Sequence, residues 1–297
     1  MPLAKRHGII GGKLPLETKL HDGPCKLSGK DVCLDSSVLS SLKNSKDPAV
    51  REAFEKYQAS PKQPADQMLL INDTVRFLGV QKAYEQMKNF KPAGEHKESY
   101  LSNYHEDAIL KYVSELVDDG FHCIPVSLMD FPEPGYSYTA NGGAHLRDFF
   151  KDHKDQLGNE IKTAGCVLNT LRSDGNLNEV GHWVCMFMDF RGKWTIEYYD
   201  SVGRQPPESV RKWMDSIAEK HKIPIEAHIA SEKRSQKGDT ECGMYALYYI
   251  CCRVNGIHMK TFREKEIPDD IVTKFRKFVM VDAPQVEKIS HDAYLTH

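Results

Sequence analysis

No stretch of this sequence approaches the roughly 18 consecutive apolar residues that a membrane-spanning helix needs, and no C-x-x-C pair occurs in it. The first absence argues against membrane insertion. The second argues against a structural zinc module, because such sites usually draw two ligands from a tight local pair. Neither sign of charge dominates: 40 Lys+Arg stand against 42 Asp+Glu, for a net charge of −2. Nucleic acid held by bulk positive charge is therefore not indicated. Internal repeats and low-complexity tracts are also missing. The opening MPLAKRHGIIGGKLPLETKL lacks the apolar region of a signal peptide, so the expectation is a soluble protein that is not secreted. The eight cysteines form no C-x-x-C pair and the chain is too large to need disulfide staples, so the expectation is reduced thiols in a cytosol-like setting, most of them small buried apolar residues.

What is present is enough to build a core. The 297 residues are 40% apolar and 28% charged, with 12 Phe, 13 Tyr and 3 Trp, which excludes global disorder and allows one large domain or two ordinary ones. Residues 1–33 show no periodicity and read as a loop or extended arm. Asp47-Pro48 before AVREAFEKY marks a helix start, since Asp caps free amides and Pro fits the first turn. Residues 34–44 and 65–89 also read as helical, with Gly79 a break. The polar stretch KPAGEHKE (91–98) is the boundary. HEDAILKYVSELVDDG (105–120) then has the apolar spacing of an amphipathic helix ended by Gly120. Beyond it the pattern changes. CVLNT (166–170), WVCMFMDF (183–190) and WTIEYY (194–199) read as strands, the second buried on both faces. Helices are expected near 206–221, 243–254 and 268–280. The fold class is α+β, with a helical N-terminal arm before the core.

The chemistry centres on Cys242 in QKGDTECGMYALYYICCRV. The apolar run after Gly243 places this cysteine at the first turn of a buried helix, where free amides and the dipole favour a thiolate. Gly243 would let a substrate approach the backbone closely. A Cys before a helix is also commonly a packing residue, so a base is needed to distinguish the two. His182 opens one strand and Asp200 closes the next. A three-residue loop between them, with Gly192 in the left-handed position, would set the two residues directly opposite, with Cβ atoms about 5 Å apart. The carboxylate could then hold one ring nitrogen and leave the other facing the thiol. A two-residue loop would put them on opposite faces. Gln236, six residues before Cys242, carries an amide able to donate to an oxyanion, alongside the amide of Cys242.

GHW (181–183), YYDS (198–201) and QKGDTECG (236–243) resemble the signature of the SUMO-protease-like cysteine peptidases. Within that clan the resemblance extends to the polyprotein-processing proteases of African swine fever virus and related large DNA viruses, over residues 97–280. PVSLMDF (125–131) and DDIVTKFRKF (269–278) belong to it too. The resemblance implies a papain-like core with a central mixed sheet flanked by helices. It makes Cys242 the nucleophile, His182 the base, Asp200 its orienter and Gln236 the oxyanion donor. Trp183 would pack over the Cys–His pair and bind substrate together with Gly243. The swine-fever-type enzymes carry Asn where Asp200 stands, whereas cellular relatives use Asp and share the six-residue Gln–Cys spacing.

The implied organisation is an arm over 1–96, a peptidase core over 97–280 and a tail over 281–297. The implied activity is cleavage of viral structural polyproteins after Gly-Gly during virion maturation, without metal or organic cofactor, in the host cytoplasm and virion core. Gly-Gly suits a narrow tunnel because no Cβ obstructs the threading backbone. The chain's own Gly11-Gly12 and Gly142-Gly143 pairs are no more than 20 glycines yield by chance, so self-cleavage after Gly12 has no support beyond the motif itself. The rivals are a deSUMOylating or deubiquitinating enzyme with the same chemistry and an inactive core-shell scaffold.

Overall fold

The computed structural model describes residues 23–26, 30–94, 100–117, 120–136, 146–176, 181–220, 225–230 and 233–282. Both Gly-Gly pairs lie outside these residues. The described chain forms two compact units, one over residues 100–275 and a smaller one from residues between 20 and 99 together with those from 276 onward.

The smaller unit contains α1 (Ser36–Lys43), α2 (Pro48–Ala59), α3 (Pro64–Leu78), α4 (Val80–Met87) and the short strand β1 (Ala93–Gly94). Asp47 caps α2 as expected, its carboxylate accepting from the amides of Ala49 at 2.8 Å and Val50 at 3.4 Å. Gly79 ends α3 with φ +82°, a conformation costly for any residue with a Cβ, and α4 starts at once. Val38, Leu42, Val50, Phe54, Met68, Ile71 and Phe90 form the core of this unit. One expectation fails here. Cys25 and Cys33 are joined in a disulfide, with Cα atoms 5.1 Å apart. The loop containing them folds back on itself, with Lys26 donating to the Asn89 carbonyl and the Asn89 amide reaching the Cys33 carbonyl. A size argument made for the whole chain did not apply to a small unit closing a short loop. The other six cysteines are free.

In the larger unit, α5 (Asn103–Leu116) leads into β2 (Phe121–Cys123) and β3 (Ser127–Leu128), then α6 (Phe149–Asp152), β4 (Thr163–Asn169), β5 (Trp183–Asp189) and β6 (Trp194–Tyr199). After these come α7 (Glu208–Lys220), β7 (Ile225–Ile229), α8 (Cys242–Val254), α9 (Lys260–Glu264) and α10 (Asp269–Val279); β8 (Val281–Asp282) belongs to the smaller unit, where it pairs parallel to β1. Helix α5 stops at Leu116, and Gly120 instead turns the chain into β2 with φ +82°. The sheet order is β2-β4-β5-β6-β7, with β3 on the far end of β4. Pairs β4–β5 and β5–β6 are antiparallel, whereas β2–β4 and β6–β7 are parallel. This is the expected α+β core, a mixed sheet flanked by helices and preceded by a helical region.

Strand β4 is buried throughout and β5 nearly so, because both faces of the sheet are covered. Ala164, Cys166, Leu168, Val184, Met186 and Met188 alternate onto the face packed by Phe149, Phe150, Trp213 and Met214. The opposite face meets α8: Tyr199 stacks on Tyr249 with ring centroids 4.4 Å apart, and Ile250 lies against Gly165. Within this apolar layer Arg253 makes a bidentate pair with Glu197, both bonds at 2.7 Å. Thr195 and Tyr249 donate to the same carboxylate. At the hairpin end, Arg191 binds Asp189 and donates to the Arg253 and Val254 carbonyls, closing the C-terminal end of α8. Both of these bonds join the β5–β6 hairpin to α8.

Removing one partner strands the other charge in the core, so Arg253→Ala is expected to cost about 3–5 kcal/mol in urea unfolding. Thiol titration of the unreduced, denatured chain should count six thiols, rising to eight after reduction; eight at the outset would refute the disulfide.

Candidate active site

His182 lies one residue before β5, and its backbone is fixed from β4. Its amide donates to the Thr170 hydroxyl at 2.8 Å, and its carbonyl accepts from the Thr170 amide at 2.9 Å. A Cβ on the preceding Gly181 would collide with the Asn169 side chain. Asp200 lies one residue past β6, 1% exposed. Its Oδ1 accepts from His182 Nε2 at 2.7 Å and from the Val202 amide at 2.9 Å.

The pair forms by a different register from the expected one. Asp189 pairs with Thr195 and Cys185 with Tyr199, so five residues, 190–194, separate the paired ends. Gly192 is not among the glycines with positive φ. Asp189 is the cause, because its carboxylate accepts from both the amide and the guanidinium of Arg191 and rounds out a wider turn. The register differs by two residues, and side chains alternate with period two, so His182 and Asp200 keep to one face as diagonal neighbours.

Cys242 is the first residue of α8 and is buried. Glu241 precedes it without capping the helix, its carboxylate turned to the amide and hydroxyl of Thr240. The Cys242 thiol acts on the His182 ring and, like Asp200, favours its protonated form. With Nε2 committed to Asp200, Nδ1 is the nitrogen available to the thiol. Burial opposes a charged imidazole, but Asp200 and Cys242 outweigh it and raise His182 from 6.5 to about 9. Burial pushes up the thiols of Cys123, Cys166, Cys185, Cys251 and Cys252, which keeps them protonated and unreactive.

Gln236 is 3% exposed. Its amide is held at both ends, Oε1 accepting from the Ser201 hydroxyl at 2.7 Å and Nε2 donating to the Gly238 carbonyl at 2.8 Å. The amides of Ser235 and Gln236 both donate to the Ser201 carbonyl, so the loop before Cys242 is fastened to the residue after Asp200. Trp183 is buried, and its Nε1 donates to the Leu101 carbonyl at 3.0 Å. The close approach at Gly243 comes from within the chain, since a Cβ there would overlap Oε1 of the buried Glu106 and lie 3.0 Å from Leu101.

Three supporting residues carried no assigned role in the sequence: Thr170, Ser201 and Glu106. Ser201 stood inside the YYDS motif, but its partner becomes visible only once the loop folds back. Among the described residues no group of three or more His, Cys, Asp or Glu is arranged to hold a metal, and no helix is long and apolar enough to cross a membrane.

A buried carboxylate–imidazole–thiol series on a helix-flanked mixed sheet is the constellation of a cysteine peptidase. Residues 176–286 match the Ulp1 protease family, C-terminal catalytic domain, and the chain is a cysteine peptidase. The SUMO-1 cysteine protease of African swine fever virus, warthog isolate from Namibia, is 28% identical over 265 residues, which is 84% of this chain and 91% of that protein. The cysteine protease of the Badajoz strain matches to the same extent. The crystal structure of the African swine fever virus protease aligns with a TM-score of 0.66 at 25% identity, covering 89% of this chain and 97% of that one.

Because His182 is raised, it holds its proton through neutral pH and loses it as pH rises through about 9. The stability it contributes is complete below about 6.5 and disappears across that window. NMR titration of the ring should give a midpoint near 9, and Asp200→Asn, which removes a raising partner while burial remains, should lower it. An unchanged midpoint would separate Asp200 from the ring's electrostatics.

Proposed function

We propose that the chain is an endopeptidase that cleaves viral structural polyproteins after Gly-Gly, with Cys242 as nucleophile. The observation that carries this reading is the His182 ring, hydrogen-bonded to buried Asp200 and raised by Cys242 at the start of α8. His182 accepts the thiol proton and, raised as it is, keeps it at neutral pH. The thiolate attacks the carbonyl carbon of the second glycine, and the C=O electron pair moves onto oxygen. The Cys242 amide and the Gln236 side chain donate to that oxyanion. As it collapses, the C–N bond breaks and His182 gives its proton to the leaving amine. Water, deprotonated by the now neutral imidazole, then attacks the thioester and releases the acid. Asp200 holds the ring's orientation throughout.

Gly-Gly on the substrate side is taken from the viral relatives; a chain that lacks Cβ atoms is the least obstructed when it threads a narrow cleft. The viral relatives support a viral substrate and, with it, action in the host cytoplasm and virion core. The similarity to a SUMO-1 cysteine protease favours one second reading, removal of SUMO from conjugates.

Incubation with polyprotein fragments containing Gly-Gly-X, wild type against Cys242→Ala, with product termini read by mass spectrometry, tests the proposal. Wild type should cut after the second glycine and the variant should leave fragments intact. Turnover of SUMO or ubiquitin conjugates with untouched fragments would transfer the assignment to the second reading. Processing that persists in Cys242→Ala would overturn both.

A further inference from the structure

The oxyanion role given to Gln236 raises a question of aim. A glutamine amide is nearly symmetric in shape, and only its nitrogen end can donate. On a loop without regular structure, nothing local decides which end faces the reacting carbonyl. Two residues outside the Cys–His–Asp series decide it here. Ser201 is 1% exposed, and its hydroxyl donates to Gln236 Oε1 at 2.7 Å. On the other side, the Gly238 carbonyl accepts from Nε2 at 2.8 Å. Reversing the amide would press Oε1 against that carbonyl, acceptor against acceptor, and leave a buried group unpaired.

The Gly238 carbonyl is itself held in place. Asp269, at the start of α10, receives the amides of Lys237 and Gly238 on its two carboxylate oxygens, each at 3.3 Å. The Tyr245 hydroxyl lies 2.6 Å from Asp269 Oδ1. Burial and this carboxylate both push the phenol up, so it stays protonated. The Ile267 amide donates to the Ser235 hydroxyl, fastening the start of the loop to the segment before α10. Gln236 therefore stands between two anchors, Ser201 beside Asp200 and Asp269 beyond the helix that carries Cys242.

We propose that Ser201 and Asp269 are positioning residues that hold the Gln236 amide nitrogen-first, so that its second Nε2 hydrogen meets the oxyanion. The proposal rests on the reading of Gln236 as oxyanion donor and deepens it. Ser201 fixes which end of the amide is presented, and Asp269 fixes the carbonyl on which the amide rests. Neither touches substrate.

The test is a pair of double-mutant cycles on a Gly-Gly-X peptide, combining Ser201→Ala or Asp269→Asn with Gln236→Ala. Gln236→Ala alone should lower kcat by about 100-fold. Each single anchor variant should lower kcat by about 10-fold with KM within twofold, since a misaimed amide still forms part of the loss of one donor. In the Gln236→Ala background each should change kcat by less than about twofold, because the group they position is gone. The rate of Cys242 alkylation by iodoacetamide should stay at the wild-type value in every variant, showing that the nucleophile and its base are intact. Inhibition by a peptide aldehyde, whose hemithioacetal oxygen seeks the same donors, should weaken in step with kcat. Losses that multiply in the double variants, or slowed alkylation, would overturn the positioning role and assign the anchors to general folding or to the Cys–His pair. A Gln236→Ala variant with near-wild-type kcat would instead overturn the donor reading beneath it, while Cys242→Ala separately reports on the nucleophile.

Discussion

The buried pair between Glu197 on β6 and Arg253 near the end of α8 is the constraint on which the site depends. Its carboxylate also receives Thr195 and Tyr249, and the guanidinium lies over the Phe187 ring at 5.2 Å from its centroid. Taking two charges out of water is costly, and an apolar pair would hold the layers together at least as well. What an apolar pair cannot do is specify position. A bidentate bond has one geometry, whereas aliphatic surfaces slide. Cys242 sits eleven residues before Arg253 on the same helix, about 16 Å away at 1.5 Å per residue. A half-turn slip at one end would carry the sulfur away from His182 at the other.

The same hairpin that grips α8 at its tip presents His182 and Asp200 at its open end. Arg191 makes the grip double by binding Asp189 and closing the last carbonyls of α8. Cys242, His182 and Asp200 thus belong to two elements locked to each other at a distance from the site. Gln236 stands on irregular chain away from any strand end, and there side-chain bonds supply the definition that the adjoining strand or helix supplies elsewhere. Gly243 completes the arrangement by letting α8 seat against Glu106 of α5 without a Cβ between them.

Much of this was legible in the residue pattern, and the failures have identifiable causes. The strands WVCMFMDF and WTIEYY were readable because burial on both faces leaves an apolar run, and the Asp47-Pro48 start because capping is local chemistry. The register of the hairpin was not, since the wider turn depends on Asp189 meeting Arg191 and on Arg191 meeting α8. That error was harmless only because it amounted to two residues and not one. Strand β7, the edge strand paired parallel to β6, was not among the expected elements although IEAHI alternates apolar and polar residues; five residues centred on an alanine are a short signal beside the long apolar runs of β5 and β6. The Cys25–Cys33 bond escaped because spacing alone does not reveal that a loop doubles back.

By itself the sequence determined which groups are chemically competent: a cysteine at a helix start, a histidine and an aspartate at strand ends, and a glutamine a short loop away. Those are local properties, set by capping, periodicity and side-chain chemistry within a few residues. Only the tertiary structure decided that the histidine meets the aspartate and the cysteine, and how each of the four is held. The partners responsible, Thr170 for His182, Glu197 for Arg253, Ser201 and Asp269 for the Gln236 loop, lie between 12 and 56 residues away in the chain. Contacts of that separation arise from the packing of the sheet against its helices, which no local pattern encodes.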